Sequence, residues 1–415
     1  MSNVASGDLA VLPPGMGGSA AAEFAPFVRA FARAFGNRRG AGAAFALYRN
    51  EEPLVDIWIG SGGDVPWTRD TGTIVFSATK GITAMVVHRL ADRGLLDYSA
   101  PVAEYWPEFA ANGKHKITVR QMLSHRAGLS GLAPIASGPT DVLDHRLMEQ
   151  RLAAAKPDRL LGRPAYHALT FGWLVAGLTR AITGASLGEL IRTEVVEPLG
   201  IEGLHLGRPP ADSATSFAPL ADSQLGMLAR PLGAAVLGRG HRIPGALGAV
   251  TRGLFLPGLE TIVEGRNPAI LDTELGAANG VCTAPALAAM YSALANDGIG
   301  AGRRYLGDHT MKALRRVETY QPDHALFYLP MLWRLGYHSL PMPGAHAGFG
   351  HLGLGGSFGW VEPRLGLSVG FVHNRLSAAQ LGYDQPAAFW LLPLMMRCLR
   401  AGPGRVPSSA PSKAA

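Results

Sequence analysis

The chain has 415 residues and a formal net charge of +7. With 47% hydrophobic and 17% charged residues it reads as a folded globular chain, and its length exceeds what one core usually serves, so two structural regions sharing one site are expected. The basic excess is spread out, with no basic run interleaved with aromatic residues, which argues against a nucleic-acid partner.

Residues 1–22 are rich in Gly, Ala and Pro and predict a disordered N-terminal segment. Phe24, Phe27, Val28, Phe31 and Phe35 then recur at helical spacing. Two strand-like runs, 43–50 and 54–60, read as a β-hairpin. Ser77 opens the next helix, with Ile82, Val86 and Leu90 on one face and Gly94 as its stop. Thr118-x-x-Gln121 predicts a capping box before a short helix. Strand signals are few from there to about residue 275. Helices are predicted at 141–155, 170–183 and 187–197, the last behind a second capping box, Ser186-x-x-Glu189. Residues 205–265 are apolar and loop-rich, and read as packed loops, with a lid or acyl pocket as the alternative.

Thr283 predicts the cap of a helix reaching Asn296. Two strands are expected around 350–361 and 365–373, then an apolar helix at 386–400 and a disordered tail at 402–415. Strands at both ends with helices between them predict an α/β fold. Its sheet domain combines residues 23–117 and 276–401, and residues 118–275 form a mainly helical insert domain.

Lysine is scarce: Lys80, Lys114, Lys116, Lys156, Lys312 and Lys413 stand against a background of arginine. Arginine stays protonated, whereas a buried lysine can lose its proton and act as a base. Ser77-Ala78-Thr79-Lys80 is the sole S-x-x-K of the chain. At i and i+3 on a helix the two side chains share a face, and a desolvated lysine can take the proton of a serine that is otherwise a poor nucleophile. The plainer reading of the same residues is an N-cap serine and a solvated lysine. Gly355-Gly356-Ser357-Phe358-Gly359 fits the G-x-S-x-G nucleophile elbow, but that elbow needs strand, sharp turn and helix. The residues after Ser357 read as strand, turn and strand, so Ser357 is expected to line the site as a strand or turn serine.

His346 and His351 are too few for a metal site, and no phosphate-cradling glycine motif occurs, so neither metal nor cofactor is expected. Cys282 and Cys398 have no metal-ligand spacing and are too few for a disulfide framework; Cys398 reads as a core residue. The N-terminus does not read as a signal peptide and no apolar run is long enough to span a bilayer, so a cytoplasmic protein is expected.

The stretch TIVFSATKGITAMVVHRLADRGLLDYSAPVAEYWPEF, followed by ITVRQMLSHRAGL, resembles the beta-lactamase and DD-peptidase superfamily. The resemblance covers most of residues 25–400 and is weakest over 205–270. It implies an antiparallel sheet flanked by helices, with Ser77 as nucleophile and Lys80 as its proton acceptor. It matches Tyr166-His167-Ala168 to the family's second motif, making Tyr166 a proton carrier that protonates the leaving group. His351-Leu352-Gly353 matches an H-x-G form of the third motif. That implies an oxyanion hole made by the N–H groups of Ser77 and Leu354, with His351, Gly353 and His167 beside the substrate. Ala168 stands where the beta-lactamases have Asn, and His351 where they have Lys. These departures make the chain more similar to the family VIII carboxylesterases and bacterial lipases of this fold. The expected function is therefore cleavage of a small-molecule carboxylic ester through an acyl-serine. The alternatives are a beta-lactamase or D-amino-acid peptidase of the same fold, and a non-catalytic scaffold or sensor.

Overall fold

The computed structural model describes residues 8–36, 39–221, 223, 253, 256–339, 347–377 and 382–401. The chain enters as strand β1 (Met16–Ala20) and helix α1 (Ala25–Phe35), which buries Phe27, Val28, Phe31 and Phe35 on one face. Strands β2 (Gly42–Arg49) and β3 (Glu52–Gly62) form the expected hairpin, with Asn50 and Glu51 both at positive φ in its tight turn. After β4 (Thr71–Ile74) comes α2 (Thr79–Asp92), buried on nearly every side, as befits a central helix. Helices α3 (Val119–Leu123), α4 (His145–Ala154), α5 (Thr170–Thr183) and α6 (Leu187–Ile191) follow, then short strands β5 (Leu204–Leu206) and β6 (Ser216–Phe217). Strand β7 (Gly280–Cys282) leads into α7 (Ala284–Ala295), capped as expected by Thr283. Strands β8 (Phe349–Leu352), β9 (Phe358–Glu362) and β10 (Leu367–His373) precede the closing helix α8 (Ala387–Ala401).

Among the described residues the main sheet is antiparallel, in the order β1-β3-β2-β10-β9-β8. One face is covered by α1 and α8. There Phe27 meets Phe45 at 4.6 Å between ring centres and Phe35 meets Phe371 at 5.2 Å. On the other face α7 lies against β2 and β10, and the core continues through α2 and α5. A smaller sheet, β5-β7-β4-β6, sits where β4 hands the chain to α2. It pairs residues of the expected insert with residues of the expected sheet domain, so pairing crosses the boundaries drawn at 118 and 275.

The segment expected to be disordered is ordered from residue 8. Met16–Ala20 pairs with Val55–Ile59, and Leu9 bridges to Ala21. Its glycines serve packing: a Cβ at Gly17 would lie 2.4 Å from the Trp58 indole, and one at Gly18 2.0 Å from the Asp56 carbonyl oxygen. The helix expected at 141–155 is broken after Leu143, because the Asp144 carboxylate caps α4 by accepting from the Leu147 N–H at 2.9 Å. The capping box at Thr118 forms in full. At Ser186 it is half formed: the hydroxyl accepts from the Glu189 N–H, while Glu274 accepts from the N–H groups of Leu187 and Gly188. The strand expected at 350–361 is two strands, β8 and β9, separated by a turn in which Gly355 and Gly356 have φ of +88° and +113°. Residues 224–252 of the loop-rich stretch, His346 and the tail 402–415 lie outside the described residues. Among those described, no single helix is long and apolar enough to cross a membrane.

Candidate active site

The turn carrying Ser77 is held to β7 on both sides. Val75 N–H donates to the Gly280 carbonyl at 2.9 Å, and Gly280 N–H donates to the Thr79 hydroxyl at 2.9 Å. Between them Phe76 adopts φ +45°, a left-handed conformation that costs a bulky residue about 1 to 3 kcal/mol and marks this turn as constrained. Ser77 remains partly open to solvent, while Lys80, one turn on, is 0% exposed.

The Lys80 Nζ lies 2.7 Å from the Ala168 carbonyl oxygen, 2.9 Å from the Ala277 carbonyl oxygen and 3.1 Å from Ser77 Oγ. A neutral amine has two N–H bonds and one lone pair. The two carbonyls take the N–H bonds, which leaves the lone pair for the serine hydroxyl. Burial pushes the amine well below the usual lysine value and so favours this neutral form. Two residues on, the buried Asn279 side chain accepts from the Leu275 N–H and donates to the Ile270 and Thr273 carbonyls.

Tyr166 reaches the same point from the helical region. Its hydroxyl lies beside that of Ser77, whose influence opposes the effect of burial, and the Lys80 Nζ lies 4.9 Å from its ring centre. Burial raises the phenol above its ordinary value, so Tyr166 rests protonated rather than partly ionised. Its backbone N–H donates to Asp323 at 3.2 Å, and its ring stacks on Trp333 at 5.5 Å with planes 6° apart. The Trp333 indole donates to the other oxygen of the same Asp323 carboxylate at 2.8 Å. One buried carboxylate thus positions both stacked rings. No motif marks Asp323, Trp333 or Ala277 in the sequence.

The third motif lands beside Ser77, since β8 runs against the Phe76–Ala78 turn. Gly353 has a different purpose from the one expected. A Cβ there would lie 2.2 Å from the Val75 carbonyl oxygen, so the glycine admits the nucleophile turn itself rather than the substrate. Among the described residues neither the Ser77 nor the Leu354 N–H has an acceptor. His351 is buried, with Nδ1 3.0 Å from the Leu352 carbonyl and its ring 6.2 Å from that of Tyr166. His167 does not face a substrate: its Nδ1–H donates to Ala165 at 2.7 Å and its Nε2 accepts from Leu129 N–H at 3.2 Å, so both ring nitrogens are used within the chain. Ser357 is likewise withdrawn from the site, its hydroxyl bonded to the backbone of His373, and strand β9 rather than a helix follows it. Among the described residues no cluster of His, Cys, Asp or Glu could hold a metal ion.

Burial lowers His88, His338 and His373 to about 3, His167 to about 4, and His125 and His351 well below the usual imidazole value. All six are neutral in the fold, whereas the unfolded chain takes up protons as pH falls past about 6.5. Each therefore costs roughly 1.4 kcal/mol of stability per pH unit below that point, until its folded value is reached. Melting temperature is expected to hold above about pH 6.5 and to drop steeply towards about pH 5. A flat profile by differential scanning calorimetry across that window would contradict the neutral assignment.

The chain belongs to the Beta-lactamase family, whose profile matches residues 27–389, from α1 into α8. It is similar, at 50% identity over 363 residues, to the Esterase/beta-lactamase LipL of Mycobacterium tuberculosis (strain ATCC 25618 / H37Rv), a match covering 86% of this chain and 83% of that protein. The solved structure of a family VIII carboxylesterase aligns with TM-score 0.76 and 31% identity, covering 92% of this chain and 99% of that one. A penicillin-binding protein homolog from Caulobacter crescentus aligns with TM-score 0.74 and 30% identity, covering 87% and 94%. The superfamily and the antiparallel α/β fold expected from the sequence both hold.

Proposed function

We propose that the protein hydrolyses carboxylic esters through a covalent acyl-serine. The observation that carries this reading is the Lys80 amine, buried, held by two carbonyls and 3.1 Å from the Ser77 hydroxyl. Ser77 Oγ attacks the ester carbonyl while its proton passes to Lys80. The N–H groups of Ser77 and Leu354 receive the developing oxyanion. Collapse expels the alcohol, which takes the Tyr166 proton, and Lys80 returns its proton to Tyr166. Water then attacks the acyl carbon along the same path in reverse, releasing the acid and restoring Ser77. The relatives named as esterase and carboxylesterase support the substrate class.

A second reading, hydrolysis of a beta-lactam amide, is favoured by the double name that LipL carries. Against it, Ala168 and His351 leave the site without the amide and ammonium groups that would hold such a substrate. The missing amide hydrogen bond is worth about 0.5 to 1.5 kcal/mol and the missing charge-assisted contact of the ammonium about 1.5 to 3 kcal/mol. Purified protein is expected to turn over p-nitrophenyl butyrate with a kcat/KM at least about tenfold above that for a chromogenic cephalosporin. Equal or better turnover of the cephalosporin would reverse the order of the two readings.

A further inference from the structure

The turn between β8 and β9 is gripped from outside by one side chain. Gln385 Nε2 donates to the Gly353 carbonyl at 3.1 Å, and Gly355 N–H donates to Gln385 Oε1 at 2.8 Å. The Gly353 carbonyl and the Leu354 N–H belong to one peptide plane and point in opposite directions. Fixing the oxygen therefore aims the N–H, and a hydrogen bond at the oxygen also polarises that N–H as a donor. The next peptide plane is fixed by the second contact. Backbone bonds from Gly356 N–H to the Gly353 carbonyl at 3.1 Å and from Gly353 N–H to the Ser357 carbonyl at 2.7 Å shape the turn, and Gln385 adds a hold on the two peptide planes that flank Leu354, where Gly355 and Gly356 both lie at positive φ.

The segment bearing Gln385 is itself anchored. Asp384 pairs with buried Arg375, whose guanidinium lies 4.3 Å from the Phe35 ring and donates to the Ala34 carbonyl at 2.8 Å. The turn and this segment are also in close contact: a Cβ on Gly356 would lie 1.9 Å from the Asp384 carbonyl oxygen. His373 completes the grip, with Nε2 3.0 Å from the Gly355 carbonyl.

We propose that Gln385 is a positioning residue that aims the Leu354 N–H at the oxyanion; this rests on the acyl-serine reading above. The effect belongs to the transition state, so it acts on kcat and leaves substrate binding almost untouched. Gln385→Ala removes both contacts. Gln385→Glu keeps the shape and the acceptor for Gly355 N–H but sets a carboxylate oxygen against the Gly353 carbonyl.

Both variants are expected to lose about 10- to 100-fold in kcat on p-nitrophenyl butyrate, short of the about 100- to 1,000-fold that deletion of an oxyanion donor costs. KM should change less than about twofold. Butylboronic acid, whose adduct with Ser77 places an oxygen where the oxyanion forms, should bind more weakly by a factor similar to the kcat loss. A merely structural residue would not link those two losses while sparing KM. Wild-type kcat and boronate affinity in either folded variant overturn the proposal. Mass spectrometry of phosphonate-treated wild-type protein separates the two claims. A Ser77 adduct with unchanged variants refutes the role of Gln385 alone, and no adduct at Ser77 refutes the mechanism and this inference together.

Discussion

Ser77→Ala is expected to abolish ester hydrolysis, lowering kcat by at least about 10⁴-fold, while the protein keeps its fold. The lost hydroxyl is partly exposed and bonds the Lys80 amine, which keeps its two carbonyl partners without it, and the turn around it is held by Val75, Thr79 and Gly280. Labelling by a fluorophosphonate should vanish with it. Ser357→Ala should keep the label, because Ser357 is tied to the His373 backbone and followed by a strand. A folded Ser357→Ala protein that no longer labels would move the nucleophile to the elbow and sink the S-x-x-K mechanism.

Nearly as large an effect is expected at the proton path. Lys80→Arg sets a permanent positive charge where burial favours a neutral amine, offers no lone pair, and its planar guanidinium cannot reproduce the contacts to Ala168, Ala277 and Ser77. A loss of about 10³-fold or more in kcat should follow, close to that of Lys80→Ala. Tyr166→Phe deletes the phenol that protonates the alcohol and should cost about 10²- to 10⁴-fold, the usual range for a general acid. The double variant should be little worse than the poorer single one, since the two groups pass one proton. The wild-type pH profile carries the same signature. The amine must be neutral to accept the proton, so kcat/KM should fall as pH drops through the Lys80 value, which burial holds well below that of an ordinary lysine. Near-wild-type kcat in Tyr166→Phe would make the tyrosine structural. An acid limb that persists unshifted in Lys80→Arg would assign it to another group.

The parts of this architecture that could be read in advance are those whose cause is local. Thr118 and Gln121 satisfy each other within one turn, so their spacing announces them. Ser77 and Lys80 meet because three residues separate them. The β2–β3 hairpin declares itself by two apolar runs around a two-residue turn. What could not be read has its cause far along the chain. Glycines at 17 and 18 look like slack until Trp58 and Asp56 are seen against them. Asp323 holds the backbone of Tyr166 across 157 residues, and Gln385 meets Gly353 across 32, with no pattern in either segment to suggest a partner. The resemblance sets His167 beside the substrate, whereas its two ring nitrogens turn inward to Ala165 and Leu129.

The pairing of β2 with β10 has a consequence for synthesis. One edge of β2 pairs with β3 next to it in the chain, but its other edge pairs only with residues near 370, so in the growing chain that edge stays open until those residues have been made. The nucleophile turn waits in the same way, since Thr79 and Gly280, whose contact closes it, lie 201 residues apart. Such a nascent chain resembles a long-lived folding intermediate with unpaired strand edges, the species that chaperones bind and that aggregates without them. The turn that carries Ser77 is therefore not closed until Gly280 has been made.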